Sequence, residues 1–524
     1  MILSTQDKAK ALERVGFSVK SNKEKDIKKA RTSNGESAKA TQAEILLSLL
    51  DKKGLELLQN ETREPFALMP VDEHTEIWPI ESKTFRVWLC GAFYEKTKKA
   101  IGSDALRQVI DTLSAKALFQ GGKPIKLYTR VAWDHDAIWY DLSRPDWKCA
   151  RITPTKWEIV NSPLIFRRYN HQEEQCVPVS GGDALKILEY VPVKRHDFLF
   201  ICWLISALIP GYPVPMPVFY GEKGAGKSTA CEFVKSLIDP SALKTLTLQS
   251  DPRSFAVNLQ SHWFLPFDNC AYISDETSDA MCRAITGGGI QQRKLFTDAD
   301  DVIFSFQRVL ALNGISVMAS RADLLDRSLL IELSRIKETD RRELSSLRES
   351  FSIDKPVILG GMLDILSKAM AIYPTVKLKE LPRMADFCRW GYAIGDAMAP
   401  GCGGVQFFKE YRENLFFQNE EAISSDPVAT LIVEMTRSRP GEWVGTPTSL
   451  FKELEAMAFA NGINTRSKGF PKDPTRLSKR LNSIRSNLEN VGIVVEMSRS
   501  GARAISIYKK ELPSIASIPS KTAV

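Results

Sequence analysis

Apolar positions recur along the chain with two periods, and the order of those periods divides it. Residues 1–40 hold few large apolar side chains and many cations (Lys20, Lys23, Lys25, Lys28, Lys29, Arg31), which predicts a basic flexible tail. From Thr41 the spacing of Ile45, Leu46, Leu49 and Leu50 predicts a helix, with Thr41 as cap and Glu44 in the capping-box position. Helical runs around Phe85–Leu89 and Ala105–Leu113 follow. Then short alternating runs at Ile125–Trp133, Ala137–Leu142, Cys149–Thr153 and Trp157–Val160 predict a strand meander. Together these make a small α+β domain over 41–180, with Gly181-Gly182 as a linker.

The run Phe198–Ile209 is apolar on every side. It predicts a buried core helix and is too short to span a bilayer, so no membrane partner is expected. Pro210, Pro213, Pro215 and Pro217 stiffen the approach to a short strand, Pro217–Tyr220. Strand-like runs return at His262–Phe267, Val309–Asn313 and Leu329–Leu333, separated by helical or irregular stretches. That alternation predicts an α/β core over 181–340, followed by a helical lid over 341–425. The last domain, 426–511, reads as three helices and a β-hairpin (Gly492–Met497, Ala504–Tyr508), the plan of a winged helix, before a short tail at 512–524.

Composition refines this picture modestly. The 524 residues carry a formal charge of +8, with 44% hydrophobic and 26% charged residues, which suits a globular protein. The basic residues gather near both ends and favour a polyanionic partner. The nine cysteines form no C-x-x-C pair and no Cys/His cluster; a zinc ribbon is unsupported, and a reducing, cytoplasmic setting is expected. The first residues lack a signal pattern.

The strongest chemical signal follows the strand at 217–220. Gly221-Glu-Lys-Gly224-Ala-Gly226-Lys227-Ser228-Thr229 matches G-x-x-x-x-G-K-[ST] in full and leads into a helical run with Phe233, Val234, Leu237 and Ile238 on one face. Glycines let successive backbone N–H groups surround a phosphate chain, and the helix N-terminus adds partial positive charge. Lys227 reaches the outer phosphates, and Ser228 can ligate Mg²⁺. ATP with Mg²⁺ is therefore the expected cofactor pair.

Three further sites follow. His262–Phe267 ends in Asp268-Asn269, where Asp268 suits the Mg²⁺ shell, and Val309–Leu312 ends in Asn313, suited to orienting a water or sensing an outer phosphate. Arg321 and Arg327 precede the last strand; Arg327 suits an arginine finger acting on a neighbouring subunit, with a surface ion pair to Asp323 or Asp326 as the alternative. Arg383 and Arg389 in the lid read as structural ion-pair residues rather than nucleotide contacts. In the N-terminal domain Asp134 and Asp136 fall where a hairpin turn is expected, so the turn explains them better than a two-metal polymerase or primase pair. Trp133, Trp139, Trp147 and Trp157 read as an aromatic core rather than a base-stacking surface.

Cations also mark the C-terminal domain. Its third helix holds Arg476, Lys479, Arg480 and Arg485, and the hairpin tip Arg499 and Arg503, the places where a winged helix meets duplex DNA.

The order Gly221–Thr229, Asp268-Asn269, Thr286-Gly-Gly-Gly289 with Arg293-Lys294, then Asn313, resembles the superfamily 3 type helicase core of phage, satellite-phage, plasmid and poxvirus replication proteins. It is more similar still to uncharacterised ATP-binding proteins of prophages and mobile elements. The resemblance covers about residues 190–400. It implies an AAA+-like P-loop ATPase, a DNA helicase or translocase type of motor in replication, assembled as a homo-hexamer or other ring. It implies too a hairpin from Gly287 to about Phe304 lining the channel, where Arg293 and Lys294 would follow a DNA strand. One departure stands out: many relatives carry a second carboxylate where this chain has Asn269, so the general base falls to Asp275 or Glu276, or hydrolysis is slow. The alternative reading is a nucleotide-gated DNA-binding regulator or defence ATPase that does not unwind.

Overall fold

The computed structural model describes residues 40–71, 74–120, 123–249, 251–270, 273–293, 301–305, 307–314, 322–379, 381–439, 441–466, 469–498 and 504–510. The expected basic tail before residue 40, Lys294, Arg321, Arg499, Arg503 and the final tail lie outside the described residues.

Helix α1 (Gln42–Lys52) begins at Thr41. The Thr41 hydroxyl accepts the Glu44 N–H while the Glu44 carboxylate accepts the Thr41 N–H, the reciprocal pair that the sequence implies. Strands β1 (Glu56–Asn60), β2 (Pro65–Val71) and β3 (His74–Pro79), helices α2 (Lys83–Thr97) and α3 (Ser103–Phe119), and strand β4 (Lys123–Ile125) complete the first unit. Its sheet runs β3-β2-β1-β4, antiparallel except for the β1/β4 pair. Leu46, Leu50, Phe85, Leu89, Val109 and Leu113 form a core of its own.

A second sheet follows: β5 (Val131–Asp134), β6 (Ala137–Asp141), β7 (Lys148–Ile152) and β8 (Trp157–Asn161), an antiparallel meander. The run expected as one strand at 125–133 is thus split between two sheets. Arg130 causes the break, its backbone at φ +62° and its side chain fully buried. Asp134 pairs with Ala137, and His135 at φ +50° makes the turn between them, so Asp134 and Asp136 serve a hairpin. Among the described residues no group of three or more His, Cys, Asp or Glu is placed to hold a metal ion. The tryptophans meet protein: Trp133 packs edge-on to Trp390, Trp139 is buried, Trp147 lies under the Arg168 guanidinium at 3.8 Å, and Trp157 Nε1 donates to Asp364.

Helix α4 (Asp197–Ser206) is buried from Leu199 through Ser206, as an all-apolar run requires. The central sheet and its helices are β9 (Met216–Tyr220), α5 (Lys227–Ile238), β10 (Leu246–Thr247), α6 (Pro252–Ser261), β11 (Phe264–Asp268) and α7 (Asp275–Thr286). The hairpin β12 (Gly289–Arg293) with β13 (Asp301–Ser305), then β14 (Val309–Asn313), α8 (Ala322–Leu325) and β15 (Ser328–Glu332), complete it. The five long-range strands are all parallel in the order β10-β11-β14-β9-β15. Burial on both faces explains why β9, β11, β14 and β15 are nearly continuous apolar runs. Helices α9 (Leu344–Ile372), α10 (Ala385–Met398) and α11 (Gly403–Ser424) cover the sheet. By length and composition α9, with its following turn, could cross a membrane; here Ile358, Leu359, Met362, Leu363 and Leu366 are buried in the central core.

That core runs without interruption from Val131 to Tyr411, so the meander, the parallel sheet and the covering helices share one apolar interior. Gly181-Gly182, expected as a linker, is a docked crossing. A Cβ on Gly182 would stand 2.0 Å from the Val357 carbonyl oxygen, and one on Gly360 would stand 1.7 Å from that of Val179. The Gly181 N–H donates to Asp364 at 2.7 Å. Backbone contact of this kind requires glycine on both sides.

The C-terminal unit holds α12 (Pro427–Ser438), a short strand β16 (Trp443–Gly445), α13 (Pro447–Ala460), α14 (Pro474–Asn490) and the hairpin β17 (Ile493–Met497) with β18 (Ile505–Lys509), with β16 added at the edge of the hairpin. Asp473 caps α14 and Pro474 occupies its first turn. Val428, Leu431, Leu450, Leu454, Leu477, Leu481, Val495 and Ile507 form a separate core.

The meander is fastened to α5 by buried charge. Arg130 Nε donates to Asp239 Oδ1 at 2.9 Å, and its remaining N–H groups reach Asp141 O, Ser143 Oγ and Pro240 O. From the other side the Lys235 ammonium donates to Asp239 Oδ2 (2.7 Å), Phe264 O (2.6 Å) and His262 Nδ1 (3.2 Å). Accepting from an ammonium requires a neutral imidazole. Burial, reinforced by Lys235, pushes the His262 imidazole down to about 2. Burial also works to raise the Asp239 carboxyl, but Lys235 and Arg130 outweigh it and hold it below the usual carboxylate range.

Asp239→Ala strands two buried cations and is expected to remove about 3–5 kcal/mol of stability in urea unfolding. A pH dependence follows from His262, whose folded pKa lies below the unfolded value of about 6.5. Below that pH only the unfolded chain takes the proton. The stability is therefore whole above about pH 6.5 and falls by about 1.4 kcal/mol per unit as pH drops further. Urea midpoints at pH 7.5, 6.5 and 5.5 are expected to decline accordingly, with a shallower decline in His262→Asn.

Candidate functional site

The carboxyl ends of β9, β11 and β14 meet at one edge of the parallel sheet. The chain leaves β9 for the far edge at β10, returns through β11 to β14 beside it, and only then crosses to β15. This reversal of strand order is where open α/β sheets leave a crevice.

The glycine loop fills that edge. Gly221 (φ +148°), Gly224 (φ +85°) and Gly226 (φ +71°) take conformations that side chains disfavour, and Gly226 caps α5. A Cβ on Gly221 would stand 2.7 Å from the Leu333 carbonyl oxygen. The Lys227 ammonium donates to the carbonyls of Gly221 and Glu222, each at 2.9 Å. Ser228 Oγ donates to Asp268 Oδ1 at 3.1 Å. Thr229 follows on α5, half-buried.

Asn313 joins these parts. Because β14 lies between β9 and β11, its terminal carboxamide faces both neighbours. Its Nδ2 donates to Ser228 Oγ (3.5 Å) and Cys231 Sγ (3.8 Å), and its Oδ1 accepts the Asn269 N–H (3.3 Å). Asn313 is only 3% exposed. Asn269 turns the chain at φ +52°, a conformation asparagine tolerates, and is itself exposed. Asp275 and Glu276 open α7 behind the Ser274 cap.

Sequence reading missed the strap that crosses this loop. Residues 334–342 leave β15 beside β9 and bring Arg335 to 3.6 Å from Glu222. Ile336 Cδ1 lies 3.2 Å from where a Cβ on Gly226 would stand, and Arg341 Nη2 lies 3.4 Å from the corresponding point on Gly224. Only the β9/β15 register places this segment there; no periodicity announces it.

Arg327 stands at the opposite end of the sheet. Ser328 pairs with Met216, so about five residues, roughly 16 Å of strand, separate Arg327 from its own glycine loop. Its guanidinium pairs with Asp323 at 2.6 Å, the alternative that the sequence left open, while Arg383 joins Asp323 (2.8 Å) to Asp326 (2.5 Å). Arg389 covers the Tyr373 ring at 4.5 Å. The segment from Gly287 forms the β12/β13 hairpin, Gly289 paired with Ser305 and Arg293 with Asp301.

On α14 the basic face is half occupied. At about 3.6 residues per turn, Arg476, Lys479 and Arg480 share a face with Asn487 and Asn490. Asn487 and Asn490 both donate to Asn419 of α11, so the C-terminal half of that face is docked on the central unit. Arg480 pairs with Asp426, Arg476 with Asp473 and Arg485 with Glu489. Arg476, Lys479 and Arg480 remain exposed in the N-terminal half.

Among solved structures, apo forms of the C-terminal region of NrS-1 match at 12% identity. One covers 89% of this chain and 98% of that chain with a TM-score of 0.37, another 90% and 100% with a TM-score of 0.38. Nothing further rests on so distant a likeness. No curated protein matches. Family models give a firmer result: residues 183–416 match the actinomycete integrative conjugative element replication protein RepA, and residues 428–518 match the C-terminal domain of the same RepA. The first spans the parallel sheet, its glycine loop and most of the covering helices, and the second the three-helix unit with its hairpin. With both regions present in the same order, the chain is similar over residues 183–416 and 428–518 to the RepA replication proteins of actinomycete integrative conjugative elements.

Proposed function

We propose that this mobile-element replication protein is an AAA+-like P-loop ATPase of DNA helicase or translocase type, using ATP and Mg²⁺ at residues 221–229. The observation that carries the reading is the convergence of Lys227, Ser228, Asp268 and Asn313 at one sheet edge beside the glycine loop. The first turn of α5 offers backbone N–H groups and partial positive charge to a phosphate chain. Lys227 reaches the outer phosphates by exchanging the loop carbonyls for them. Ser228 Oγ and the Asp268 carboxylate form an oxygen pair suited to a hard divalent cation. Mg²⁺ held there neutralises charge developing on the outer phosphates. Asn313, fixed by three contacts, is placed to orient a water.

A homo-hexameric or other ring gives Arg327 its role. Too far from its own loop, it can act only on a neighbour's site, after release from Asp323. The β12/β13 hairpin, with Arg293 and Lys294, contacts a single strand in the channel. The C-terminal unit, as a winged helix, meets duplex DNA through Arg476, Lys479 and Arg480, with Arg499 and Arg503 on the wing. The nine cysteines, all unpaired, suit a cytoplasmic setting.

One observation favours a second reading. Asn269 stands where a second carboxylate would act as base, which suits a nucleotide-gated DNA-binding regulator or defence ATPase that switches assembly without unwinding. Strand displacement on forked DNA with ATP and Mg²⁺ separates the two, since unwinding excludes a switch.

Lys227→Ala is expected to abolish DNA-stimulated phosphate release; full activity in that variant overturns the site. Arg327→Ala is expected to keep ATP binding within about threefold while lowering hydrolysis about a thousandfold, read as phosphate release beside nucleotide titration.

A further inference from the structure

The strap over the glycine loop brings a cation of its own. We propose that Arg341 is a phosphate-contacting residue acting within its own subunit, meeting the loop at Gly224 while Lys227 holds Gly221 and Glu222. The proposal rests on the reading of residues 221–229 as a nucleoside triphosphate site.

Its placement is fixed at both ends. Upstream, the Leu333 N–H donates to Tyr220 O (2.9 Å) and the Ser334 N–H to Pro192 O (2.8 Å), so the strap leaves the sheet where the loop begins. Downstream, Arg348 grips the Glu232 carboxylate with two bonds of 2.8 Å, tying the first turns of α9 to α5. Between these anchors Ile336 packs against Gly226 and Arg341 against Gly224. Gly224 has no side chain to stand between its backbone and the guanidinium.

The charges sort themselves. Arg335 is partly neutralised by Glu222 at 3.6 Å, and Asp340 accepts from the Thr339 hydroxyl. Arg341 is exposed and makes no hydrogen bond or ion pair among the described residues. A guanidinium held against an anion-binding loop without a carboxylate partner keeps its planar donor fork for phosphate oxygens. The site then draws on two arginines of different origin. Arg341 contributes to nucleotide affinity from within the subunit, whereas Arg327 contributes to turnover from a neighbour.

The test is calorimetric titration of the full chain with Mg·ATP. Arg341→Ala is expected to weaken ATP binding about tenfold, Arg341→Glu to weaken it further, and Arg341→Lys to recover part of the loss. Because Arg341 is exposed, unchanged melting temperatures are expected to accompany these losses. Alanine and glutamate variants that bind within twofold of the parent, while Lys227→Ala does not bind, overturn the assignment of Arg341 alone. Parent and Lys227→Ala chains that bind ATP equally, or not at all, overturn the reading of the loop.

Discussion

The carboxyl end of the glycine-loop helix is held by charges that have no access to water. Asp239 closes α5 and receives Arg130 from the meander on one oxygen and Lys235 from its own helix on the other. A lone buried charge is costly, so these three groups stand or fall together. The same junction satisfies helix carbonyls: the Tyr140 hydroxyl donates to Leu237 O and Ile238 O, and Gln175 to Leu237 O. Since α5 starts at Lys227 and Ser228, the sheet that anchors its far end also fixes the direction in which the loop presents its backbone. The meander is therefore part of the foundation of the site. It also explains why one hydrophobic core crosses the boundary that composition suggested near residue 180.

Strand order does for the other side of the site what the buried charges do for α5. Placing β14 between β9 and β11 brings the last residue of β14 into contact with both the loop helix and the chain leaving the acidic strand. Asn313 meets that need because a carboxamide donates on one side and accepts on the other. Asn269 follows from the same geometry: its N–H is held by Asn313 while its backbone turns left-handed, which carries the chain off the strand directly after Asp268.

The C-terminal unit folds around its own core yet is not independent of the centre. Asn487 and Asn490 bind Asn419, and α14 also touches α8, the helix whose Asp323 holds Arg327. The basic helix α14 and the arginine at the far end of the sheet are thus neighbours in space.

How much of this was legible from the amino acids depended on range. The chain by itself determined the local elements, because periodicity, caps and glycines act over a few residues: the Thr41/Glu44 cap, the apolar helix at 197–206 that is buried from Leu199 on, the loop at 221–226 and the Asp473-Pro474 helix start all lie where their residues place them. It also determined that apolar strands ending in Asp268 and Asn313 belong beside that loop. Tertiary structure alone decided that the extended run at 125–133 divides at Arg130, whose buried partner is Asp239, far along the chain. It alone decided that Gly181-Gly182 docks against α9, and that Arg327 pairs with Asp323. It alone brought Arg341 to Gly224. Each of these contacts depends on strand order and register, which bring together residues whose spacing along the chain carries no trace of the meeting.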